Sequence, residues 1–433
     1  MEKKNFFTRI YFGWWICIVN ALLGGLAGGF RNQGFSALFK PIAEELDLTR
    51  AGASVASGIS TIQNGIIFAL AGWLSDRFGP KWVIIPGSCV MGLGLALMYF
   101  VNSALRYYIV WGIIMTSGAS FAFSVSQDKM LTDWFISKRG LALGVRFAIL
   151  GVVASLVLPA ISWLILKLGW RLTCLLWGGV IFCGLPIMFI FVPRRRPEYY
   201  GLLPDGAELK SDPDSASDDI VEKGIEYAVG LQETEFTLKE AMLTPTYWFL
   251  TGAWVVHGII FRGVSVHCIP FLTDIGIDPV TAGGLMGMMV MFTIPSRFFG
   301  GIIADRFQKE QLKFLLTASF SLNAIGIMSL FLCESMLRVY VLLILLGLGT
   351  GSFIPMDIVI RGRYFGRKAY GSIQGSTAIL TVPITFFSPI FTGWIYDTTG
   401  DYMNAFLIFG ILAFACAVMM LLIRPPRPPS GEK

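Results

Sequence analysis

Gly72-Trp73-Leu74-Ser75-Asp76-Arg77 closes one apolar run of this chain, and Gly301-Ile302-Ile303-Ala304-Asp305-Arg306 closes another. Each copy is followed by a lysine, Lys81 or Lys309, and then by a fresh apolar run. A phrase that recurs in the second half of a chain reads as an internal duplication. Two further matches keep a similar offset. Asp133-Trp134-Phe135 with Lys138-Arg139 and Gly140-x-x-x-Gly144 is answered by Tyr364-Phe365 with Arg367-Lys368 and Gly371-x-x-x-Gly375. Leu168-Gly169-Trp170-Arg171 is answered by Gly400-Asp401-Tyr402.

The chain has 433 residues, 55% of them hydrophobic and 14% charged. A soluble chain carries about 25% charged residues, so lipid is the expected solvent. The net charge of +6 sits in short loops, which is the pattern of membrane orientation and not of nucleic-acid binding. The cysteines, Cys17, Cys89, Cys174, Cys183, Cys268, Cys333 and Cys416, are scattered inside apolar runs with no C-x-x-C pair. They read as small packing residues, and no disulfide framework or metal site is expected. The start, Met1–Arg9, is short and basic, and the first apolar run is too long for a signal-peptide core, so no cleaved leader is expected.

A crossing needs about 20 apolar residues. Six such runs lie in the first half: Phe12–Leu38, Gly52–Leu74, Trp82–Val101, Tyr107–Leu131, Leu141–Leu166 and Leu172–Val192. Six lie in the second: Tyr247–Leu272, Ala282–Ala304, Phe314–Cys333, Val339–Ile360, Ser372–Tyr396 and Ala405–Ile423. The sequence therefore predicts an all-α membrane protein of 12 transmembrane helices in two pseudo-symmetric six-helix bundles. The expected domains are residues 1–192, a solvated linker 193–244, and 245–433 with a short tail. The linker opens with Arg194-Arg195-Arg196 and holds the Ser/Asp-rich stretch Ser211–Asp219. Lys and Arg concentrate on the loops that share a side with the linker and both termini, which makes that side cytoplasmic. Two like halves with a site near the bilayer midplane are the architecture of a secondary transporter.

Asp76 and Asp305 stand where their runs leave the membrane. A carboxylate there can bond the first amides of a following or neighbouring helix, or pair with a loop arginine. At these residues the chain resembles the major facilitator superfamily, whose loop signature G-x-L-x-D-R-x-G-x-K stands here as Gly72, Leu74, Asp76, Arg77, Gly79 and Lys81. The second copy, Gly301, Asp305 and Arg306, has Gln308 in place of the later glycine. The resemblance implies the twelve-helix fold, alternating access and a gating role for these residues. Narrower likenesses lie at Trp134-Phe135…Lys138-Arg139-Gly140-Leu141-Ala142-Leu143-Gly144, at Arg196-Pro197-Glu198…Gly201-Leu202-Leu203-Pro204-Asp205-Gly206, and at His267…Pro270-Phe271-Leu272-Thr273-Asp274-Ile275-Gly276. There the chain is similar to bacterial members of the monocarboxylate transporter and oxalate/formate antiporter group. That implies a prokaryotic inner-membrane protein, without cofactor or metal.

An arginine near a helix centre costs roughly 2.5–3.5 kcal/mol on insertion scales. Arg31, Arg146, Arg262 and Arg297 all lie well inside their runs, while the deep acids are Asp128 and Asp357. Surplus buried positive charge calls for an external anion, and a guanidinium fork suits carboxylate or phosphate. Arg31 in the first run and Arg262 in the seventh are rough counterparts, each preceding a proline, Pro41 or Pro270. The superfamily resemblance implies that their runs line the central cavity. The alternative is snorkelling to the surface. Arg297, four residues before Gly301, matches the arginine that binds substrate carboxylate in monocarboxylate and oxalate transporters. Two departures limit the carry-over: Thr293 replaces the acid one turn earlier in some of those transporters, and Ser376–Thr381 offers no lysine. Arg146, one turn inside its run, is expected to snorkel.

Gln33 beside Arg31, and Gln63 with Asn64 in the second run, can orient substrate or tie helices together. Candidate proton carriers are His257, His267 and Asp357. His267 can equally be a hydrogen-bonded structural residue, and Asp357 an internal ion pair with Arg361. The expectation is a non-enzymatic secondary transporter of a small organic anion, a mono- or dicarboxylate, by proton symport or anion exchange. It is expected to work as a monomer in the bilayer, with no nucleic-acid partner. The alternatives are an organic-phosphate or other anion exchanger, or a drug or metabolite exporter. An exporter would be expected to carry G-x-x-x-G-P in the fifth run, which reads Gly144…Gly151…Pro159.

Overall fold

The structure is a computed structural model and describes residues 11–48, 50–193, 196–207, 234–332 and 336–427. Among these residues every regular element is helical. Hydrocarbon offers the backbone no water, so each crossing must satisfy its own amides and carbonyls. Among the described residues, eleven helices are long and apolar enough to cross a membrane. The remaining expected run, with Gln63 and Asn64 at its middle, is also helical, over Arg50–Phe78. Large apolar side chains face outward, Leu166 at 85% exposure and Met291 at 70% among them. In water such a surface would drive association; in lipid it is the solvated side. The Ser/Asp-rich stretch Ser211–Asp219, Arg194 and Arg195 lie outside the described residues.

By contacts the chain forms two compact units, Met1–Glu233 with Arg367–Ile379, and Thr234–Gly366 with Leu380–Lys433. The first unit begins with α1 (Phe12–Gly29), passes through a five-residue π-helical turn, π1 (Phe30–Gly34), and continues as α2 (Phe35–Glu45). The first run is thus longer than expected and carries an extra-wide turn where Arg31 stands. Next come α3 (Arg50–Phe78) and α4 (Lys81–Leu97). The fourth run is not one even helix. It consists of α5 (Ala104–Tyr107), a second π segment, π2 (Tyr108–Met115), α6 (Thr116–Ala122) and α7 (Val125–Trp134). The fifth and sixth runs form α8 (Arg139–Phe191), which turns over at Gly169, φ 76° and ψ 166°. That conformation is nearly restricted to glycine, and the turn falls in the gap left between the two runs in the sequence.

Glycines bring α1 against α8. A Cβ at Gly25 would lie 2.7 Å from Val153, and one at Gly29 would lie 3.0 Å from Val157. The core of the unit gathers Phe30, Trp111, Met115, Trp177 and Ile181.

The second unit holds α9 (Leu238–Met242), α10 (Pro245–Asp274), α11 (Pro279–Arg306), α12 (Leu312–Leu332) and α13 (Met336–Phe365). It also holds α14 (Tyr370–Thr399) from Leu380 onward, and α15 (Met403–Leu421). Thr237 and Glu240 form a capping box at the start of α9, which satisfies two otherwise orphaned amides. Gly351 packs α13 on α11, where a Cβ would lie 2.7 Å from the Thr293 Cα. Gly349 faces α12, where a Cβ would lie 2.7 Å from the Ser319 carbonyl. The small residues of the tenth run therefore close two helix contacts at once.

Candidate functional site

The signature aspartate caps a helix. Asp76 Oδ1 accepts the Gly371 N–H at 3.1 Å, and Oδ2 accepts the N–H and the hydroxyl of Ser372, both at 2.6 Å. These amides belong to the first turn of α14, where no intrahelical partner exists. A carboxylate there gains charge-assisted bonds and a favourable helix dipole. The glycines permit the approach: a Cβ at Gly371 would lie 2.5 Å from the Gly72 carbonyl, and one at Gly375 would lie 2.7 Å from the Ala69 Cα. Arg77 is exposed, with its guanidinium 5.3 Å from the Trp73 ring centroid and 5.4 Å from that of Phe78. Gly79 turns the chain at φ 88°, and half-buried Lys81 begins α4.

Lys129, which the sequence reading passed over, is the hub behind Asp76. Its ammonium lies 3.1 Å from Asp76 and 3.4 Å from Asp133, and it donates at 2.9 Å to the Arg367 carbonyl. Arg367 in turn donates to the Asp133 carbonyl and to Glu198, each at 3.0 Å. Glu198 and Arg367 are 4% and 1% exposed. The signal for both was present as a lysine inside an apolar run and as Arg196-Pro197-Glu198, quoted above only for its likeness.

In the second copy of the signature Gly301 is buried and Arg306 exposed. Here Arg363 of α13 donates to the Asp305 carbonyl at 3.1 Å and to the Phe307 carbonyl at 2.6 Å, and lies 3.7 Å from the Asp305 carboxylate. One phrase thus has two sets of partners.

Each described flank of the linker grips its own unit, one just after the aromatic pair and the other at the pair itself. Asp205, with φ 60°, accepts the N–H groups of Ile136 at 3.1 Å, Ser137 at 2.8 Å and Lys138 at 2.9 Å. Successive amides turned toward one carboxylate form an anion nest. On the other flank Phe236 N–H donates to the Phe365 carbonyl at 3.0 Å, and Thr234 to the Tyr364 carbonyl at 3.3 Å.

The deep acids are both engaged. Arg146 is 4% exposed and bonds Asp128 and Gln127, the latter at 2.7 Å. It does not snorkel, because Asp128 on α7 offers a counter-charge inside the bundle. Asp357 is wholly buried and accepts from Arg361 at 2.7 Å and from the Trp254 indole at 2.6 Å. Gln127 and Asp357 occupy matching places before the aromatic pairs Trp134-Phe135 and Tyr364-Phe365. Each reaches the first membrane-spanning helix of its unit, Gln127 through the Asn20 carbonyl at 3.4 Å and Asp357 through Trp254.

Half-buried Arg31 stands in π1. Gly28, one turn earlier, faces a direction in which a Cβ would meet nothing within 4 Å. Arg262 is exposed on α10, and Arg297 half-buried on α11. His257 is 6% exposed, and its ring stacks on Phe353 with centroids 4.4 Å apart. Trp254 meets that imidazole edge-on at 5.9 Å. His257, Trp254 and Asp357 therefore form one neighbourhood in the second unit. His267 lies elsewhere, bonded to the Pro389 carbonyl at 2.9 Å and to the Tyr402 hydroxyl at 3.4 Å.

In the first unit Gln63 donates to the Ile113 carbonyl at 3.1 Å and to Ser117, and Asn64 accepts from Ser120 at 2.6 Å. Both tie α3 to the fourth run. The Gln33 side chain lies outside the described residues.

A family model described as Major Facilitator Superfamily matches residues 21–382. Monocarboxylate transporter 12 of Xenopus laevis is 24% identical over 365 residues, covering 82% of this chain and 76% of that protein. Monocarboxylate transporter 2 of Mus musculus is 22% identical over 419 residues, covering 95% and 83%. Among solved structures, the transporter FucP in its outward conformation superposes with a TM-score of 0.69 at 12% identity, covering 94% of this chain and 97% of that one. The proton:xylose symporter XylE bound to 6-bromo-6-deoxy-D-glucose gives 0.68 at 13% identity, covering 94% and 95%. At such identities the likeness to those structures speaks for the fold alone.

Proposed function

The chain belongs to the Major Facilitator Superfamily, and from that premise we propose that it carries a small organic anion, a mono- or dicarboxylate, by alternating access. It is a multi-pass, all-α membrane transport protein and not an enzyme. The single observation that carries the anion reading is the charge balance of the spans. Guanidiniums outnumber carboxylates there, and the two deep carboxylates are bonded to Arg146 and Arg361. Arg31, Arg262 and Arg297 then bind the substrate anion, each able to offer two parallel N–H bonds to one carboxylate. The loaded protein carries less net positive charge in its spans than the empty one, which lowers the cost of moving between states. The name shared by the two relatives supports a carboxylate over a phosphate ester. Gln33 orients the substrate, Gln63 and Asn64 tie α3 to the fourth run, and Asp76 and Asp305 with their neighbours gate. The Lys and Arg bias of the loops supports cytoplasmic termini, and the likeness to bacterial members supports a prokaryotic inner membrane.

Coupling is by proton symport or by exchange. His257 is the candidate proton carrier, whereas Asp357 is held by Arg361 and Trp254. Uptake into proteoliposomes preloaded with candidate mono- and dicarboxylates, at fixed and varied pH, tests the proposal. Counterflow that ignores pH marks exchange; uptake that rises with external acidity marks symport. Arg31→Gln, Arg262→Gln and Arg297→Gln should each raise KM for the anion. Uptake of phosphate esters or neutral solutes alone, or unchanged KM in all three variants, overturns it.

A further inference from the structure

A π turn inserts one extra residue into a helix, and in an α-helix one residue is about 100° of rotation. The turn at Phe30–Gly34 therefore decides which way Arg31 points. Such turns are uncommon and must be held by their surroundings. Here aromatic packing from α8 and π2 does so.

Phe30, adjacent to Arg31, is fully buried, and its ring stacks on Trp177 of α8 at 5.4 Å and 26°. The Trp177 indole N–H also donates at 3.3 Å to the Leu26 carbonyl, which already accepts from the Phe30 N–H. One side chain thus fixes both the ring before Arg31 and the backbone turn that leads into it. Trp111, in the second π segment, holds the other side. It lies 6.2 Å from Phe30 and 5.5 Å from Phe35, the first residue after the turn. Gly34 lets Ile161 in, since a Cβ there would sit 2.9 Å from its Cδ1.

We infer that Trp177 is a positioning residue for the anion site: it holds the π turn of the first helix and thereby aims the Arg31 guanidinium. The inference rests on Arg31 binding the anion, as proposed above. Trp177 does not touch substrate and acts only through Phe30 and Leu26.

The test is a double-mutant cycle in proteoliposome uptake of a carboxylate that the wild-type protein transports. Trp177→Leu should raise KM about tenfold with maximal rate nearly unchanged, and Trp177→Phe, which keeps a ring against Phe30 but loses the N–H, should fall between. In an Arg31→Gln background neither change should raise KM further, because the group being aimed is gone. A purely structural tryptophan would lower maximal rate or yield, leave KM alone, and add its effect to that of Arg31→Gln. If Trp177→Leu does not fold, the same cycle with Trp177→Phe decides the matter. Additive effects, or an unchanged KM in the Trp177 variants while Arg31→Gln raises it, overturn the inference and leave the transport reading intact. An unchanged KM in Arg31→Gln overturns both the role of Arg31 and the inference.

Discussion

Asp76 accepts two bonds from Ser372, one from its amide and one from its hydroxyl, each 2.6 Å long. With the Gly371 amide and the Lys129 ammonium, this carboxylate serves a helix start and a buried cation together. Hydrogen bonds to charged groups contribute about 1.5–3 kcal/mol. Asp76→Ala should lower stability by roughly that amount, and Asp76→Asn, which keeps an acceptor but loses the charge, by less. Thermal unfolding in detergent measures the order; an Ala variant that melts with the wild type contradicts it.

Glu198 and Arg367 form a nearly dry ion pair at 3.0 Å. Removing one partner of such a pair costs about 3–5 kcal/mol, because the other charge stays buried. Glu198→Gln should therefore be severe, and Glu198→Gln with Arg367→Gln milder than the sum of the single changes. Denaturation midpoints of the four proteins form the cycle. Strict additivity would show that the pair is not coupled.

Arg146 is held by Asp128 and Gln127, so its loss should be felt in folding and not in substrate affinity. Arg146→Ala is expected to reduce folded yield, while the protein that does fold keeps KM within about twofold of wild type. A large rise in KM at normal yield would instead put Arg146 among the substrate contacts.

Asp357 shares its oxygen Oδ2 between Arg361 and Trp254. Asp357→Asn should destabilise the second unit, since Arg361 loses its counter-charge in a buried place, yet leave the pH profile of uptake unchanged. His257→Phe keeps the stack on Phe353 and removes the ring nitrogens; if uptake is proton-coupled, its pH dependence should flatten in this variant. A flattened profile in Asp357→Asn, with the His257→Phe profile unaltered, would exchange their roles.

Helix positions were largely legible because apolar runs of crossing length are hard to disguise, and Gly169 marked the turn between two of them. The capping chemistry of Asp76 was legible in kind, a carboxylate at a helix start, but its partners were not, since sequence does not say which helix start is near. The π turns were invisible: one extra residue barely disturbs an apolar run with little amphipathic contrast. Arg146 was misread because depth along a helix is visible in sequence and direction around it is not; Asp128 decides the outcome from a different helix. Lys129 and Glu198 were missed for the same reason, each having its partners far away in the chain, at Asp76 and Arg367.

The grip of Asp205 on residues 136–138, and of Thr234 and Phe236 on residues 364–365, has a topological consequence. Each flank of the linker is fastened locally, so severing the polypeptide between residues 207 and 234 removes none of these bonds. Two co-expressed fragments cut within that interval therefore keep these anchors on both sides of the break.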